Sequence, residues 1–402
     1  RAHYGRLRPV LKAIKNHPAL DLKMIVGVPA AYGYFFKNII NSRPRSWLAA
    51  LPWYLVARFR SVAGKSFVFK NDFLAKNLIS DGFKIESYAP IFFDGGKSET
   101  MAKTVGLGIE RLVEEIKKIR PDIVFVNADR FEMIAVAIAA SYLNIPVAHN
   151  EGGDVSGTID ESVRHAITKL AHIHFTSTES SRKRVVQMGE NPEKVFAVGS
   201  PAIDAVAEIN FENLPKVFVG LDINKPYVMV LAHPVATASR KENIKMAECL
   251  VSAIKETPHP KIILGSNIDA GSDVLSGVIK NWLDHEGPKD VFFTKHLHPD
   301  DFYKYLKNAA CAVGNSSSFI REGAFLGTPV VLFGSRQNNR EKGENVMEIL
   351  HQKDSLKDAI LSQISRGRFP PGQVFGSGDA SLKIADILAK VDLTVQKSFK
   401  DL

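Results

Sequence analysis

Short apolar runs alternate with amphipathic helical stretches along most of this chain, and that alternation constrains the fold more than any other feature. Residues 21–27, 83–88, 122–126, 145–148 and 173–176 read as buried strands. A second series starts at 227–236 and continues through 261–272, 291–296 and 311–334. Between them lie helical patterns such as 4–16, where Leu7, Val10, Leu11 and Ile14 form one stripe, and a long helix near 97–119 with the charged face ERLVEEIKKIR. Strands alternating with helices imply parallel sheets covered on both faces. Gly199 and Pro201 mark a hinge-like break between the two series. The expected architecture is therefore α/β, with two Rossmann-like domains facing a cleft. Residues 1–200 would form the first domain, with an insertion at about 31–80, and 201–380 the second. Residues 381–402 would be a C-terminal helix and tail, placed to pack back on the first domain.

Composition narrows the class. A chain of 402 residues with 45% hydrophobic and 24% charged residues has the length for two ordinary globular domains. No run of about 18 uncharged apolar residues predicts a spanning helix. Cys249 and Cys311 are far apart and match no metal spacing, which suits thiols in a reducing, cytoplasmic compartment. The chain opens on RAHYGRLRPVLKAI, a helix lacking the strand that should precede it, so the natural N-terminus is expected to lie upstream.

The net charge of +9 is concentrated in one place. Residues 37–70 carry Lys37, Arg43, Arg45, Arg58, Arg60, Lys65 and Lys70 with no acid, leaving +2 for the remainder. That distribution gives no support for nucleic-acid binding, and no nucleic-acid-binding motif is present. Within 37–70 the cations interleave with Trp47, Trp53, Tyr54, Phe59 and Phe67. Such a stretch can pack as an insertion, close as a lid over a charged ligand, or lie on an anionic membrane. Pro44 and Pro52 interrupt a long amphipathic helix, which ranks packing first and membrane contact last.

Chemistry concentrates at 149–175, HNEGGDVSGTIDESVRHAITKLAHIHF. A short apolar strand delivers His149 and Glu151 at its C-terminal end, and the Gly152–Gly153 pair allows a sharp turn. A helix then begins near Asp160, with Glu161, Arg164 and His165 sharing a face. Open α/β sheets place their chemistry at such strand ends. In the second half, Gly314-Asn315-Ser316-Ser317-Ser318 follows a strand and opens a helix. It reads either as a phosphate site or as a plain N-cap. Neither a G-x-G-x-x-G after a strand nor a Walker A sequence occurs, so no dinucleotide cofactor is expected.

The segment EGGDVSGTIDESVRHAITKLAH closely resembles the signature of hydrolysing UDP-N-acetylglucosamine 2-epimerases of the sialic-acid-pathway type. The similarity extends through RAHYGRLRP, ADRFE, LAHPV, SNIDAGS and GNSSSFIREGAFLGTPVVLFGSRQNNREKGENV. Only 31–80 and the tail beyond 390 lie outside it. The resemblance implies the GT-B architecture and places Arg1, Arg130, Asn267, Ser316, Ser317, Glu322 and Arg336 at UDP-contacting positions. It assigns Asp129, Glu151 and Glu161 to the chemistry, sets His149 beside them, and puts His233 near the leaving diphosphate. No metal or other cofactor is implied; a homo-oligomer, dimer or tetramer, is expected. Four departures from the family pattern bear on the sugar: Asn127-Ala128 for His-Gly or Leu-Gly, Val28-Pro29 for a histidine, His3 for aspartate, and Asn150 for an apolar residue or histidine.

The reaction so implied eliminates UDP to a 2-acetamidoglycal and rehydrates it with inversion at C2, giving N-acetylmannosamine. Which carboxylate removes the proton and which returns it is left open. The rivals are the same reaction on a UDP-diacetamido-trideoxyhexose, a GT-B glycosyltransferase, and a non-catalytic nucleotide-sugar sensor.

Overall fold

The computed structural model describes residues 2–30, 73–93, 97–212, 221–222, 225–266, 271–295, 297–349 and 353–401. Arg1, Asn267 and the whole of the basic, aromatic stretch 37–70 lie outside the described residues.

The chain starts with helix α1 (Ala2–Asn16), strand β1 (Ile25–Pro29), α2 (Phe73–Ser80), β2 (Ser87–Phe92) and α3 (Ser98–Ile119). It continues through β3 (Val124–Asn127), α4 (Phe131–Tyr142), β4 (Val147–Asn150), α5 (Ile159–Leu170), β5 (Ile173–Thr176), α6 (Glu179–Gln187), β6 (Val195–Ala197) and α7 (Pro201–Ala207). Among the described residues β1 pairs with β2, and β3 to β6 form a four-stranded sheet in chain order, all parallel. Helix α3 spans both sheets, because Leu112 and Ile116 pack with Ala89 and Ile91 of β2 and with Ala135 and Ala139 of α4.

The second half contains β7 (Val228–Leu231), α8 (Arg240–Lys255), β8 (Lys261–Leu264), α9 (Ser272–Glu286), β9 (Val291–Thr294) and α10 (Pro299–Asn308). Then come β10 (Cys311–Gly314), α11 (Ser317–Leu326), β11 (Val330–Phe333), β12 (Val346–Ile349) and α12 (Lys353–Arg366). Their parallel sheet has the order β12-β11-β10-β7-β8-β9. Strands β7, β8, β10 and β11 are buried on both faces, which is why they read as continuous apolar runs. The result is α/β with two Rossmann-like parallel units facing a cleft, the GT-B architecture.

Several strand positions differ from expectation: the run at 21–27 pairs only from Ile25 and extends to Pro29. The run at 83–88 is an approach segment, because Phe83 and Ile85 pack with Val26 and Leu78 while pairing with β1 begins only at Ser87. The run at 145–148 shifts to Val147–Asn150, so His149 lies within β4. The last helix, α13 (Ala380–Lys390), packs Ile384, Ala385 and Leu388 against Val10, Ile14, Ala148 and Phe175 of the first half. The tail follows it there: Lys397 Nζ donates to Glu190 Oε2 at 2.6 Å and to the Ala171 carbonyl at 2.7 Å. Among the described residues, no helix is long and apolar enough to cross a membrane.

Candidate active site

Strands β3 and β4 end side by side, with Asn127 registered on Asn150. Each then turns through a left-handed residue that is not glycine, Ala128 at φ 59° and Glu151 at φ 64°. Backbone strain of this kind persists only where its surroundings over-determine it. These two turns present Asp129 and Glu151 at neighbouring positions of the C-terminal edge. His149 lies beneath them, fully buried. Its Nε2 donates to the Ala128 carbonyl at 2.9 Å, and its Nδ1, 3.2 Å from Thr168 Oγ1, is thereby the acceptor of that hydroxyl's proton. Burial pushes its pKa down to about 3, so the ring is neutral and braces the Ala128 turn.

After β4 the chain makes a close turn at Gly153, where a Cβ would lie 2.1 Å from the Ser181 carbonyl oxygen. Asp154 follows, buried within the join between the halves. Ser181 Oγ donates to its Oδ1 at 2.9 Å, while Arg340 and Arg321 reach its Oδ2 at 2.9 and 3.3 Å. Burial alone would raise its pKa, yet Arg340, Arg321 and Arg164 hold it at about 2. Arg321 also donates to Glu151, whose Oε1 accepts from Ser200 Oγ at 3.2 Å. Arg164 spans Asp129 and the Asp154 carbonyl, the latter at 2.7 Å. The halves approach closely at Gly157 too. Its N–H donates to the Arg336 carbonyl at 3.0 Å, and a Cβ there would meet the Ser335 carbonyl oxygen at 2.0 Å.

The two acids opening α5 separate in role. Glu161 accepts from the Ser156 N–H and lies 3.9 Å from His165 Nε2, so it holds its own loop. Asp160, its neighbour, faces Arg336 Nη2 across the cleft at 3.7 Å. The sequence reading singled out Glu161; the carboxylate that spans the halves is Asp160.

In the second half the strand order reverses between β7 and β10, and a parallel sheet opens its ligand crevice at such a switch point. His233 follows β7, and Asn315 and Ser316 follow β10. The Asn315 side chain clamps His233 through both backbone groups, accepting from its N–H at 2.7 Å and donating to its carbonyl at 2.8 Å. Burial, then Arg336, Arg6 and Arg130, drive the His233 pKa well below its ordinary value. Three arginines from three separate elements thus crowd one neutral imidazole. Ser316 caps α11 by accepting from the Ser318 N–H, and Ser317 is the first helical residue. Arg6 donates to Ser317 Oγ at 3.0 Å and to Ser318 Oγ at 2.7 Å, and its Nε lies 3.4 Å from Glu322 Oε1. Glu322 is 1% exposed, and neither of its oxygens has a hydrogen bond, so burial raises its pKa despite Arg6 and Arg321.

The structure therefore brings Asp129 and Glu151 together on one edge. On the other it gathers His233, Ser316, Ser317, Glu322 and Arg336, with Arg130 close enough to His233 to act on its charge. Sequence reasoning passed over Arg6 and Arg340, and left Asp154, Asp160, Arg164 and Arg321, all within the quoted motifs, without a role. A charged residue immediately beside a chosen one, as with Asp160 and Arg321, was the available signal. Arg340 offered none, because its partner Asp154 is 186 positions away. Among the described residues, no three His, Cys, Asp or Glu side chains converge as a metal-ligand set.

Comparison with known proteins gives a consistent picture. The sequence profile of the UDP-N-acetylglucosamine 2-epimerase family matches residues 69–389. The chain is 32% identical to the hydrolysing UDP-N,N'-diacetylbacillosamine 2-epimerase of Legionella pneumophila, over 98% of this chain and 95% of that protein. It is 28% identical to the UDP-N-acetylglucosamine 2-epimerase of Neisseria meningitidis serogroup B, over 100% and 97%. The fold is similar to that of the Methanocaldococcus jannaschii UDP-GlcNAc 2-epimerase, solved with UDP-GlcNAc and UDP. The TM-score is 0.73 at 18% identity, covering 96% of each chain. With a profile match across most of its length and a relative matched nearly end to end, the chain belongs to the UDP-N-acetylglucosamine 2-epimerase family.

Proposed function

We propose that this protein is a hydrolysing 2-epimerase acting on a UDP-linked 2-acetamido sugar, converting UDP-N-acetylglucosamine to UDP and N-acetylmannosamine. The observation that carries the reading is the opposition of two edges in one cleft. Asp129, Glu151 and Asp160 stand on one side, and Arg336, Arg6 and the N-terminus of α11 on the other. A helix terminus with convergent arginines suits a departing diphosphate. Adjacent carboxylates suit a proton that must leave one face of a carbon and return to the other.

In this mechanism a carboxylate on the first edge takes the C2 proton. The C–H electrons form the C1–C2 double bond as the C1–O bond breaks, and UDP departs with that bond's electron pair. Water then adds its oxygen to C1 of the 2-acetamidoglycal while a second carboxylic acid supplies the C2 proton from the opposite face. The proton released by the water returns that carboxylate to its acid form, and the first carboxyl loses its proton to solvent. Asp129 and Glu151 are assigned to these transfers, with Asp160 at the boundary between sugar and diphosphate. His149 positions the Asp129 turn. Glu322 receives the ribose hydroxyls, and Ser316, Ser317, Arg6 and Arg336 hold the diphosphate.

A related reading has the same reaction on a UDP-diacetamido-trideoxyhexose. It is favoured by the Legionella relative and by Asn127 and Asn150 at the sugar end. Incubation with the sugar nucleotide alone tests both. Release of UDP and a free 2-epimeric sugar without any acceptor is expected, and UDP release only when an acceptor is added would point to glycosyl transfer.

A further inference from the structure

Asn127 and Asn150, the last residues of β3 and β4, form a buried pair that is only half satisfied. They are 5% and 0% exposed. Asn150 Nδ2 donates to Asn127 Oδ1 at 2.6 Å, while Asn127 Nδ2 and Asn150 Oδ1 have no partner. Exchanging the O and N assignments of both amides reverses the bond but still leaves one donor end and one acceptor end unfilled. Buried polar atoms without partners oppose folding, and native proteins keep few of them. These two stand directly before the strained residues Ala128 and Glu151, beside both candidate proton-transfer carboxylates.

Strand alternation fixes the face. Phe125 and Ala148 pack with Val10, Ile14 and Ile384, so Asn127 and Asn150, two positions on, leave the sheet on the side covered by α1 and α13. The same helix α1 carries Arg6 to the N-terminus of α11. The pair therefore sits at the edge and on the face where α1 meets the cleft.

We infer that the Asn127–Asn150 pair is the receptor for a secondary amide of the substrate sugar, its free donor end taking the amide carbonyl and its free acceptor end the amide N–H. A secondary amide offers one acceptor and one donor, the complement of what the pair leaves open. The inference rests on the epimerase reading: an amide bound beside Asp129 and Glu151 is the one attached to the carbon whose proton they exchange. A hydroxyl also donates and accepts, but through a single oxygen, whereas the amide carries donor and acceptor on separate atoms; on that difference in span the pair would select acylamino over hydroxy sugars.

The test is calorimetric binding of UDP, UDP-glucose, UDP-N-acetylglucosamine and a UDP-2,4-diacetamido-2,4,6-trideoxyhexose to the wild-type protein and to Asn127→Leu/Asn150→Leu. Leucine preserves volume and removes both amides together, leaving no orphaned partner. The wild type is expected to bind the acetamido sugar about tenfold or more tighter than UDP-glucose. In the double variant that preference should fall to near unity, with UDP affinity and melting temperature retained. Loss confined to the diacetamido ligand would assign the second amide and equally support a receptor. A variant that folds, binds UDP normally and keeps the full preference for acetamido sugars would overturn the inference. If the double variant does not fold, Asn127→Leu alone, which removes one arm, should lose part of the preference. An unchanged preference there overturns it as well. Failure of the epimerase reading would look different, as wild-type protein that binds these nucleotides without turning any of them over.

Discussion

The C-terminal edges of the β3–β6 sheet and the β7–β12 sheet meet in one cleft, yet they differ in charge and in backbone economy. The first presents Asp129, Glu151, Asp154 and Asp160, and reaches them through left-handed Ala128 and Glu151. The second presents Arg321, Arg336 and Arg340; it uses glycine at Gly314, with φ 148°, and a left-handed asparagine, Asn339 at φ 61°, directly before Arg340. A left-handed non-glycine residue costs on the order of 1–3 kcal/mol, whereas glycine adopts such angles freely. Asparagine tolerates the left-handed region better than alanine or glutamate, so the strain is heavier on the side assigned to proton transfer, where carboxylates must be held in one orientation. The side assigned to charge recognition carries less of it. The difference teaches that the chemistry and the leaving-group site are separable, although Arg321 ties them together through Glu151 and Asp154.

Cutting that tie should have the largest effect. Arg321→Met leaves Glu151 and Asp154 short of a buried partner, and loss of one member of a buried ion pair costs about 3–5 kcal/mol. A lower denaturation midpoint for Arg321→Met, partly restored in Arg321→Lys, is the expected outcome of chemical unfolding. Equal stability of Met and wild type would mean that the halves are not joined there.

Acidification attacks the brace under the strained edge. His149 has a folded pKa of about 3 against an ordinary 6.5, so its neutral form is favoured by folding. That contribution is complete above about pH 6.5 and is lost as pH falls from there toward 3. His149→Gln should flatten the fall of stability across this window, measured by urea titration at a series of pH values. An unchanged pH slope would remove His149 from the account.

The comparison of edges sharpens further through kinetics. Asp129→Asn and Glu151→Gln should each lower turnover by on the order of a hundredfold or more, with UDP affinity nearly unchanged. Ser317→Ala and Glu322→Gln should do the reverse, weakening UDP by about tenfold while sparing the proton-transfer step. Carboxylate variants at near-normal rates, or phosphate-side variants that lose only turnover, would dissolve the distinction between the edges.

Much of the fold was legible because its signals are local. YVMVL reads as a strand since every residue of β7 is buried on both faces, and Ser239 with Glu242 opens α8 through a reciprocal capping box. The strand at 83–88 was misplaced because Phe83 and Ile85 are as apolar as a strand requires, while the pairing partner at Ile25–Pro29 decides the register. The site was legible by residue type and only partly by role. Asp160 and Glu161 are adjacent acids at a helix start, about 100° apart around its axis. The Ser156 N–H on Glu161 and the approach of Arg336 to Asp160 from the other half distinguish them. The burial of His149 under Ala128 likewise depends on Thr168, contributed by the next helix.

The central claim is that the acidic edge exchanges the C2 proton during elimination and rehydration. Turnover of UDP-N-acetylglucosamine in D2O, followed by proton NMR of the released sugar, tests it most directly. The account predicts N-acetylmannosamine carrying deuterium at C2, formed together with UDP. A product that retains its original C2 hydrogen would contradict it.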